Sequence, residues 1–333
     1  MRRPALPARR STRVLLLLAA LVAAALTTVA LRSGDARSQA PAPAPLRSGA
    51  ENPCLGPDAA QLRCPDLVMT RPFGLRRERS PRGRVWLRAG NSIDSVGAAA
   101  AELRGRDRRG IWMDAVQRIP RRDGGHVTVR SGARLRFAYG HLQRRWWKFH
   151  DAARFELWRL DDAGRPVTLE RVGPKVDYCL RDLRRTRPSL AGSPRREVYP
   201  ACSTSPRRTR VRLGTSPGWS DIYPPRYLTQ WIDVTGLRGC FAYRHIADPG
   251  NAIAESNEDN NAAQVIVRLP FSPAARRRGC PGEDLGARSP RLRSRTYAPD
   301  DPLTRPGDAA APATAPDAGD LAAPPADGAA ASR

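Results

Sequence analysis

The sequence predicts a mainly β fold, a β-sandwich of short antiparallel strands with long loops that disulfides stabilise. Three observations support this prediction. Short runs alternate apolar with polar residues, as strands that are buried on one face do. The chain contains 32 prolines and 27 glycines, which punctuate these runs as turns. It also carries six cysteines, an even number that is typical of a disulfide framework.

Individual strands can be placed from the same pattern. An extended segment opens at Val85, and residues 126–130 and 133–139 read as one hairpin. A second hairpin turns at 161–164, and a third pairs residues 239–247 with 262–269. We expect helix only in one short piece after Gly97. Short strands joined by turn residues favour a sandwich over a helical bundle.

The N-terminus has the features of a targeting segment. Five arginines precede an uncharged run over residues 14–31, which ends at Arg32. The run is longer than a signal-peptide core of about 7–15 residues and close to the length of a spanning helix. A cleaved signal peptide and an uncleaved membrane anchor therefore both remain open. In either case we expect everything after Arg32 to be extracytoplasmic, secreted or anchored by this segment.

Composition predicts four regions. Residues 1–32 form the signal peptide or N-terminal anchor, and residues 33–50 form a linker rich in proline and alanine. Residues 51–285 form a single folded domain. Residues 286–333 form a tail rich in proline, alanine and aspartate, which we expect to be disordered.

The cysteines predict three disulfides, because the compartment is oxidising. Six cysteines allow 15 pairings, of which we favour neighbours in sequence. The predicted bonds are Cys54 with Cys64, Cys179 with Cys202, and Cys240 with Cys280. A thiol redox site or a structural zinc site is not expected, since the chain has no Cys-x-x-Cys.

The charge is strongly positive, +25 from 57 basic and 32 acidic residues. The arginines are scattered, and no zinc finger, helix-turn-helix or RNA motif accompanies them, so nucleic-acid binding is not expected. Attraction to acidic polymers is expected. Only Lys148 and Lys175 are lysines. Such rarity marks both as positions where an amine is needed, because an arginine guanidinium stays protonated.

Four segments resemble the lysyl oxidase catalytic domain over residues 66–269. Gly-Trp-Ser-Asp-Ile-Tyr at 218–223 is followed by Gln-Trp-Ile-Asp at 230–233. These are similar to the Gly-x-Tyr-Asp-x-Tyr and Gln-Trp-Ile-Asp of the animal members, at the same distance. Lys-Val-Asp-Tyr-Cys-Leu at 175–180 resembles the family's Lys-x-x-Phe-Cys-Leu. Residues 248–261 resemble its Glu-Ser-Asp and Asn-Asn signature.

The resemblance implies a copper-dependent oxidative deamination of primary amines, including protein lysines. In that family the tyrosine at the position of Tyr223 is oxidised beside copper, and the lysine at the position of Lys175 adds its amine. The product, lysine tyrosylquinone, is the working cofactor. A neutral amine is the nucleophile that this step requires, which explains a lysine in a chain that otherwise uses arginine.

The copper-binding segment departs from the family's His-x-His-x-His pattern. The three expected positions hold Arg144, Trp146 and Lys148. Arginine, tryptophan and protonated lysine do not bind Cu(II). A rescued site could use His141 and His150 with one distant histidine. Otherwise the amine of Lys148 stands in for the positive charge of the metal, and the tyrosine is not oxidised.

The resemblance also implies a calcium site of oxygen ligands, which suit this ion. The alternative is an Asx-rich hairpin turn that bonds only to its own backbone, a pattern also seen in bacterial cell-surface adhesive β-domains. The predicted ligands are Asp66, Leu67, Glu255, Asn257, Asn260 and Asn261.

Two functions follow from these observations. The first is a secreted copper and quinone amine oxidase. The second is a pseudoenzyme, a non-catalytic extracytoplasmic β-sandwich that binds acidic cell-wall polymer or a surface protein. For both functions we expect contact with a membrane only through the N-terminal segment.

Overall fold

The computed structural model describes residues 52–130, 132–139, 144–287 and 289. All of them lie in one of two compact units, which spans residues 43–333. Strands dominate this part of the chain and all pair antiparallel, so the mainly β prediction is confirmed. The strands, in chain order, are β1 (Leu67–Met69), β2 (Phe73–Arg79), β3 (Val85–Ser95), β4 (Ala101–Arg109), β5 (Trp112–Pro120), β6 (His126–Val129), β7 (Arg134–Tyr139), β8 (Arg145–His150), β9 (Ala153–Leu160), β10 (Pro166–Val172), β11 (Arg184–Arg185), β12 (Val211–Thr215), β13 (Trp219–Tyr223), β14 (Trp231–Asp233), β15 (Gly239–Ala247) and β16 (Ala262–Leu269).

The first sheet is built around β3, the longest strand described. Its order is β1-β3-β13-β11, and β2 and β14 also pair with β3. Nine of the eleven residues of β3 are buried, and other strands pair with it along both edges. The register places Tyr223 of β13 opposite Asn91 of β3. The backbone of Tyr223 is therefore fixed by the best-covered strand of the domain.

The second sheet contains both of the hairpins that the sequence placed correctly. Its order is β10-β9-β15-β16. Alternating apolar residues meet across β15 and β16, where Phe241 pairs with Val267 and Tyr243 with Val265. The turn at 161–164 joins β9 to β10 as predicted.

The third sheet corrects two predictions. Its order is β12-β4-β5-β7-β8, with β6 on β5. Residues 126–130 and 133–139 do not pair with each other, because β5 is long enough to pair with β6 at one end and β7 at the other. The predicted helix after Gly97 is absent from the described residues. The backbone of Pro65 and Asp66 lies where a side chain at Gly97 would begin, and the chain continues into β4.

The main core draws apolar side chains from all three sheets. Its fully buried members include Trp147 and Phe149 of β8, and Tyr178 from the segment that follows β10. Tyr223 and Trp146 are partly buried and pack against this cluster. Tyr223 therefore lies at the edge of the core.

Three disulfides close the described chain in the predicted pairing, Cys54–Cys64, Cys179–Cys202 and Cys240–Cys280. No helix among the described residues is both long and apolar enough to cross a membrane. The predicted targeting segment at 14–31 lies outside the described residues, as do the linker at 33–50 and most of the predicted tail.

Candidate functional site

Tyr223 ends β13 and is surrounded by aromatic rings. The ring of Tyr178 lies 4.7 Å away and that of Tyr227 lies 5.7 Å away, both edge to face. Its hydroxyl donates to the carbonyl of Cys179 at 3.3 Å. Burial, together with the charge of Asp221, raises the pKa of Tyr223 well above its usual value. The side chain is thus a neutral phenol.

Lys175 places its amine beside that phenol ring. The residue is 7% exposed, and its Nζ lies 4.7 Å from the ring centroid of Tyr223 and 4.3 Å from that of Tyr178. The Nζ donates to the backbone carbonyl of Asp177 at 2.8 Å. The structure therefore brings together the two residues that the sequence singled out, although 48 positions separate them in the chain.

The surroundings of Lys175 favour a neutral amine. Burial, followed by the charge of Lys148, lowers the pKa of Lys175 to about 7, although the charges of Asp177 and Asp221 act in the opposite direction. At neutral pH about half of the Lys175 side chains are uncharged. An uncharged amine has the lone pair that a nucleophile needs.

Asp221 completes this group and was not predicted. The residue is fully buried, and its carboxyl group lies beside Tyr223. Burial raises its pKa to about 8, against the charges of Arg181 and Lys175. At pH 7 Asp221 is mostly a neutral acid. Its position was available from the sequence, since it stands two residues before Tyr223 and alternate residues of a strand share a face.

The segment where copper ligands were expected is strand β8 and the residue before it. Alternation sends Trp147 and Phe149 into the core, so Trp146, Lys148 and His150 point to the other face. Arg144 is exposed. This face therefore presents an indole, an amine and one imidazole.

Lys148 is buried in this face. Its Nζ donates to the carbonyl of Tyr139 on β7. Burial lowers the pKa of Lys148 and the nearby Arg136 lowers it further, while the charge of Asp177 raises it. The two lysines of the chain thus lie close enough to affect each other's protonation, although they come from different segments.

Asp177 is the carboxylate that balances these cations, and sequence reasoning missed it. The Nδ1 of His150 lies 2.7 Å from its Oδ1, and Arg136 lies 3.6 Å from its Oδ2. Burial alone would raise the pKa of Asp177. The hydrogen bond and charge of His150 and the charges of Arg136 and Lys148 outweigh burial and lower it.

Copper does not fit the residues that the structure describes. His150 is held by Asp177 and also lies 3.5 Å from Asp151. His245 is buried in the core with its ring 3.8 Å from that of Phe155, and burial lowers its pKa to about 3. His141 lies outside the described residues.

The remaining histidine, His126, is exposed beside Arg118. Across the described chain, no group of three histidine, cysteine, aspartate or glutamate residues could hold a metal ion. Calcium also accepts amide and backbone oxygens as ligands. They matter for calcium, which the sequence predicted elsewhere.

The predicted calcium residues converge, with one exception. Asn261 Nδ2 donates to Glu255 Oε1 at 3.0 Å, and the backbone N–H of Leu67 donates to Glu255 Oε2. Asn260 Nδ2 donates to Asp66 Oδ1 at 2.8 Å. The exception is Asn257, which is exposed and accepts the N–H of Asp259 in a turn.

The side-chain oxygen atoms of the predicted calcium ligands suit a hard cation. The side-chain oxygens of Asn260 and Asn261 are buried and have no partner among the described residues. Burial raises the pKa of Glu255 well above its usual value, and the charge of Glu258 adds to this effect. Burial likewise raises the pKa of Glu258 to about 8. Glu258 was missed, although it follows Glu255 by only three positions. A cation would relieve this repulsion between carboxylates, so these residues fit calcium.

Comparison with known families agrees with the residues of this site. A family model described as lysyl oxidase matches residues 139–275, which include Lys175 and Tyr223. A search of curated proteins returned no match. The family depends in general on copper and on lysine tyrosylquinone, and both the family and the three disulfides are consistent with an extracellular location. Residues 139–275 therefore match the lysyl oxidase family.

Proposed function

We propose that this domain acts outside the cytoplasm as a lysyl-oxidase-like pseudoenzyme, which binds acidic polymer or protein and does not oxidise amines. The chain would be secreted or anchored by residues 14–31. One observation carries the proposal. A buried Lys148 amine occupies the strand on which the family places its copper ligands, and it lies near Lys175. Without the metal, Tyr223 remains a phenol and Lys175 a free amine.

Electrostatics argues against a cupric ion on this face. Arg136 and Lys148 lie directly opposite each other on β7 and β8, and His150 lies opposite Arg134. Asp177 is the carboxylate that faces three of these groups, Arg136, Lys148 and His150. Adding two further positive charges would be unfavourable, because Asp177 is already shared by these groups and the nearby Asp151 is half exposed to water.

Binding is supported by arginines that aromatic rings hold in place on the third sheet. The guanidinium of Arg134 lies 4.3 Å from the ring centroid of Trp112, and that of Arg145 lies 4.3 Å from Tyr139. Ring stacking restricts a guanidinium without neutralising it. Such groups bind carboxylates and phosphates through two parallel hydrogen bonds. Acidic cell-wall polymer or an acidic surface protein is a partner of this chemistry.

The second candidate is the family's own activity, the oxidative deamination of primary amines or protein lysines. The specific observation in its favour is the 4.7 Å between the Lys175 amine and the Tyr223 ring. These are the residues that the family links into its quinone. Copper would then require ligands beyond those described, His141 among them.

A measurement of copper and quinone on the purified protein separates the two functions. After copper loading in air, we expect less than about 0.1 copper per chain, no quinone stain and no peroxide release with primary amines, because Lys148 supplies charge and no ligand. The variant Lys175→Arg is the matched control for background stain. Stoichiometric copper with a stain that this variant loses would establish the oxidase and overturn the pseudoenzyme.

The binding half of the proposal has its own measurement. The protein should bind immobilised polyglutamate with an affinity that falls steeply between 50 and 200 mM salt. The double variant Arg134→Ser with Arg145→Ser should weaken binding more than Arg77→Ser with Arg79→Ser, which removes two exposed arginines of β2. Equal losses would mean that only net charge matters.

Calcium should stabilise the domain in a pH-dependent way. Without the ion, burial favours the protonated forms of Glu255 and Glu258, so folding holds protons that the unfolded chain has lost at pH 8. Their raised pKa values therefore cost stability increasingly as pH rises above the unfolded values. A bound calcium ion needs both carboxylates ionised and reverses this cost. At about 100 times the Kd, the gain is about 2.7 kcal/mol.

Thermal unfolding with calcium or with chelator, at pH 6 and at pH 8, checks this expectation. The rise in Tm should be larger at pH 8, and magnesium should give less of it, because magnesium demands octahedral geometry. Glu255→Gln should abolish the rise. The variant Asn257→Ala, in the exposed turn, should show the same rise in Tm with calcium as the wild type. No rise in Tm at either pH would mean that these residues form an Asx-rich turn and do not bind calcium.

A further inference from the structure

Asn52 stands just before the first disulfide, and its side chain is buried. The Nδ2 of Asn52 donates to Glu258 Oε1 at 2.7 Å and to the backbone carbonyl of Glu255 at 3.1 Å. The Oδ1 accepts the backbone N–H of Cys54 at 2.8 Å. Both N–H groups and the oxygen of this amide are therefore used. Because its partners come from both ends of the domain, Asn52 joins the first disulfide to the loop that carries the predicted calcium ligands.

The carboxyl group of Glu258 is held against the backbone of Glu255. Besides the hydrogen bond from Asn52, its Oε1 accepts the backbone N–H of Glu255 at 3.1 Å. The charges of Glu258 and Glu255 repel each other, as do those of Glu258 and Asp66. Glu258 therefore brings a further negative charge to the side of the predicted calcium ligands.

The neighbouring residue, Asn257, does not fill this role. Its side chain is exposed, and its Oδ1 accepts the backbone N–H of Asp259 at 3.0 Å. The sequence predicted a calcium ligand at position 257, where this chain has no carboxylate. The carboxylate follows one position later, in Glu258, and the turn directs it inward.

Two buried amides point to a cation beside these carboxyl groups. Asn260 is 4% exposed and Asn261 is 1% exposed, and their Nδ2 atoms donate to Asp66 and to Glu255. Their Oδ1 atoms are buried without a hydrogen-bond partner among the described residues. A buried polar atom without a partner costs free energy, and a hard cation would satisfy both oxygens.

The first disulfide connects the two segments that meet at this place. Cys54 follows Asn52 by two positions, and Cys64 precedes Asp66 by two positions. The bond holds their Cα atoms 5.8 Å apart, and both cysteines pack with Ala254 in one apolar cluster. The disulfide therefore fixes the segment that carries Asn52 relative to the segment that carries Asp66.

We propose that Asn52, fixed by the Cys54–Cys64 bond, positions Glu258 as the second carboxylate of the calcium site. The inference rests on the calcium site proposed above. Two carboxylates together with amide and backbone oxygens are the ligand chemistry of calcium, and affinity depends on the charge and the rigidity of the site. Glu258 supplies charge, whereas Asn52 and the disulfide supply rigidity. Asn52 does not touch the ion and is a positioning residue.

Calorimetric titration of the full chain with calcium, after bound ions have been removed with a chelator, measures the Kd. Glu258→Gln keeps the shape of the side chain and removes its charge, so the Kd should rise at least about tenfold. Asn52→Ala should raise the Kd about fivefold, because Glu258 is then less well held. Asn257→Ala is the matched control, and its Kd should stay within about twofold of the wild type.

Thermal unfolding separates binding of the ion from a purely structural role of Glu258. In chelator, Glu258→Gln should not lower the Tm, because the variant removes the repulsion between Glu258 and Glu255. In calcium, its Tm should fall below that of the wild type. A lower Tm in chelator would assign Glu258 a structural role and would overturn the proposal.

A double-mutant cycle tests whether Asn52 acts through Glu258. In the background of Glu258→Gln, Asn52→Ala should change the Kd by less than about twofold, because the group that it positions no longer carries charge. Full additivity of the two changes would mean that Asn52 acts independently, which would overturn its positioning role.

The disulfide has a matched comparison of its own. Alanine at both Cys54 and Cys64 should weaken calcium binding. Alanine at both Cys240 and Cys280, a bond in a different apolar cluster, should leave the Kd unchanged. Equal losses would show general loosening of the domain and would overturn the link between the first disulfide and the ion.

The calcium site and the role of Glu258 can fail separately. A wild-type chain that binds no calcium overturns the site and this inference together. A wild-type chain that binds calcium no better than Glu258→Gln overturns the inference alone and leaves the calcium site intact.

Discussion

Replacing Asp177 by alanine should destabilise the domain by about 3 kcal/mol. The change leaves Arg136, Lys148 and His150 facing one another without their common carboxylate. Breaking a buried ion pair from one side costs about 3–5 kcal/mol. We expect the low end, because the side chain of Arg136 is 39% exposed and water screens its charge. Denaturant unfolding at pH 7 measures the loss.

The pH dependence identifies the cause of that loss. The folded-state pKa of Asp177 lies below the unfolded value, so its contribution is present above the unfolded pKa, about 3.9, and is lost as pH falls through the folded pKa. The variant should therefore differ most from the wild type at neutral pH and least in strong acid. Asp123→Ala, in an exposed turn, is the control and should change little. A pH-independent deficit would point to packing.

Removing the Cys179–Cys202 bond, with alanine at both positions, should cost about 3 kcal/mol. The bond closes a loop of 23 residues, and the unfolded chain gains entropy when the loop opens. It should also disturb the candidate site, because the Tyr223 hydroxyl donates to the carbonyl of Cys179. Thermal unfolding gives the first effect. The rate at which an amine-reactive reagent labels Lys175, mapped by mass spectrometry, gives the second.

The Cys54–Cys64 bond provides the matched comparison. It closes a shorter loop of 10 residues and lies in a different apolar cluster. Its removal should lower the free energy of unfolding slightly less. It should leave the labelling rate of Lys175 unchanged relative to that of Lys148. If both double variants changed the Lys175 rate equally, general loosening of the domain, and not the contact with Tyr223, would be responsible.

Local pattern predicted the strands well and their partners only in part. The hairpin of β15 and β16 was found because alternation runs through both strands, although residues 248–261 separate them. The hairpin of residues 126–130 with 133–139 was wrong because alternation does not say which strand is the neighbour. Both strands pair with β5 instead, β6 at one end of it and β7 at the other. Pairing between distant strands depends on the whole fold.

The candidate site shows the same limit. Lys175 and Tyr223 could be predicted from their motifs, and Lys148 from its rarity. Asp177 and Asp221 were missed, although Asp221 stands two residues before Tyr223, because the protonation state of a carboxyl group depends on burial and on charges from other strands. Asp177 lies beside Arg136, Lys148 and His150, which lower its pKa, whereas burial raises the pKa of Asp221 to about 8 and leaves it mostly protonated at pH 7.

Strand β3 ties the calcium region to the tyrosine pocket. Leu67, whose N–H donates to Glu255, pairs with Ser95, and Tyr223 pairs with Asn91 on the same strand. Four residues, about 14 Å of extended backbone, separate the two pairings. Strand β3 therefore pairs with the strands of both the calcium region and the tyrosine pocket. The domain cannot lose one region and keep the other, so heat, acid or chelation that releases β1 should open the tyrosine pocket in the same cooperative step.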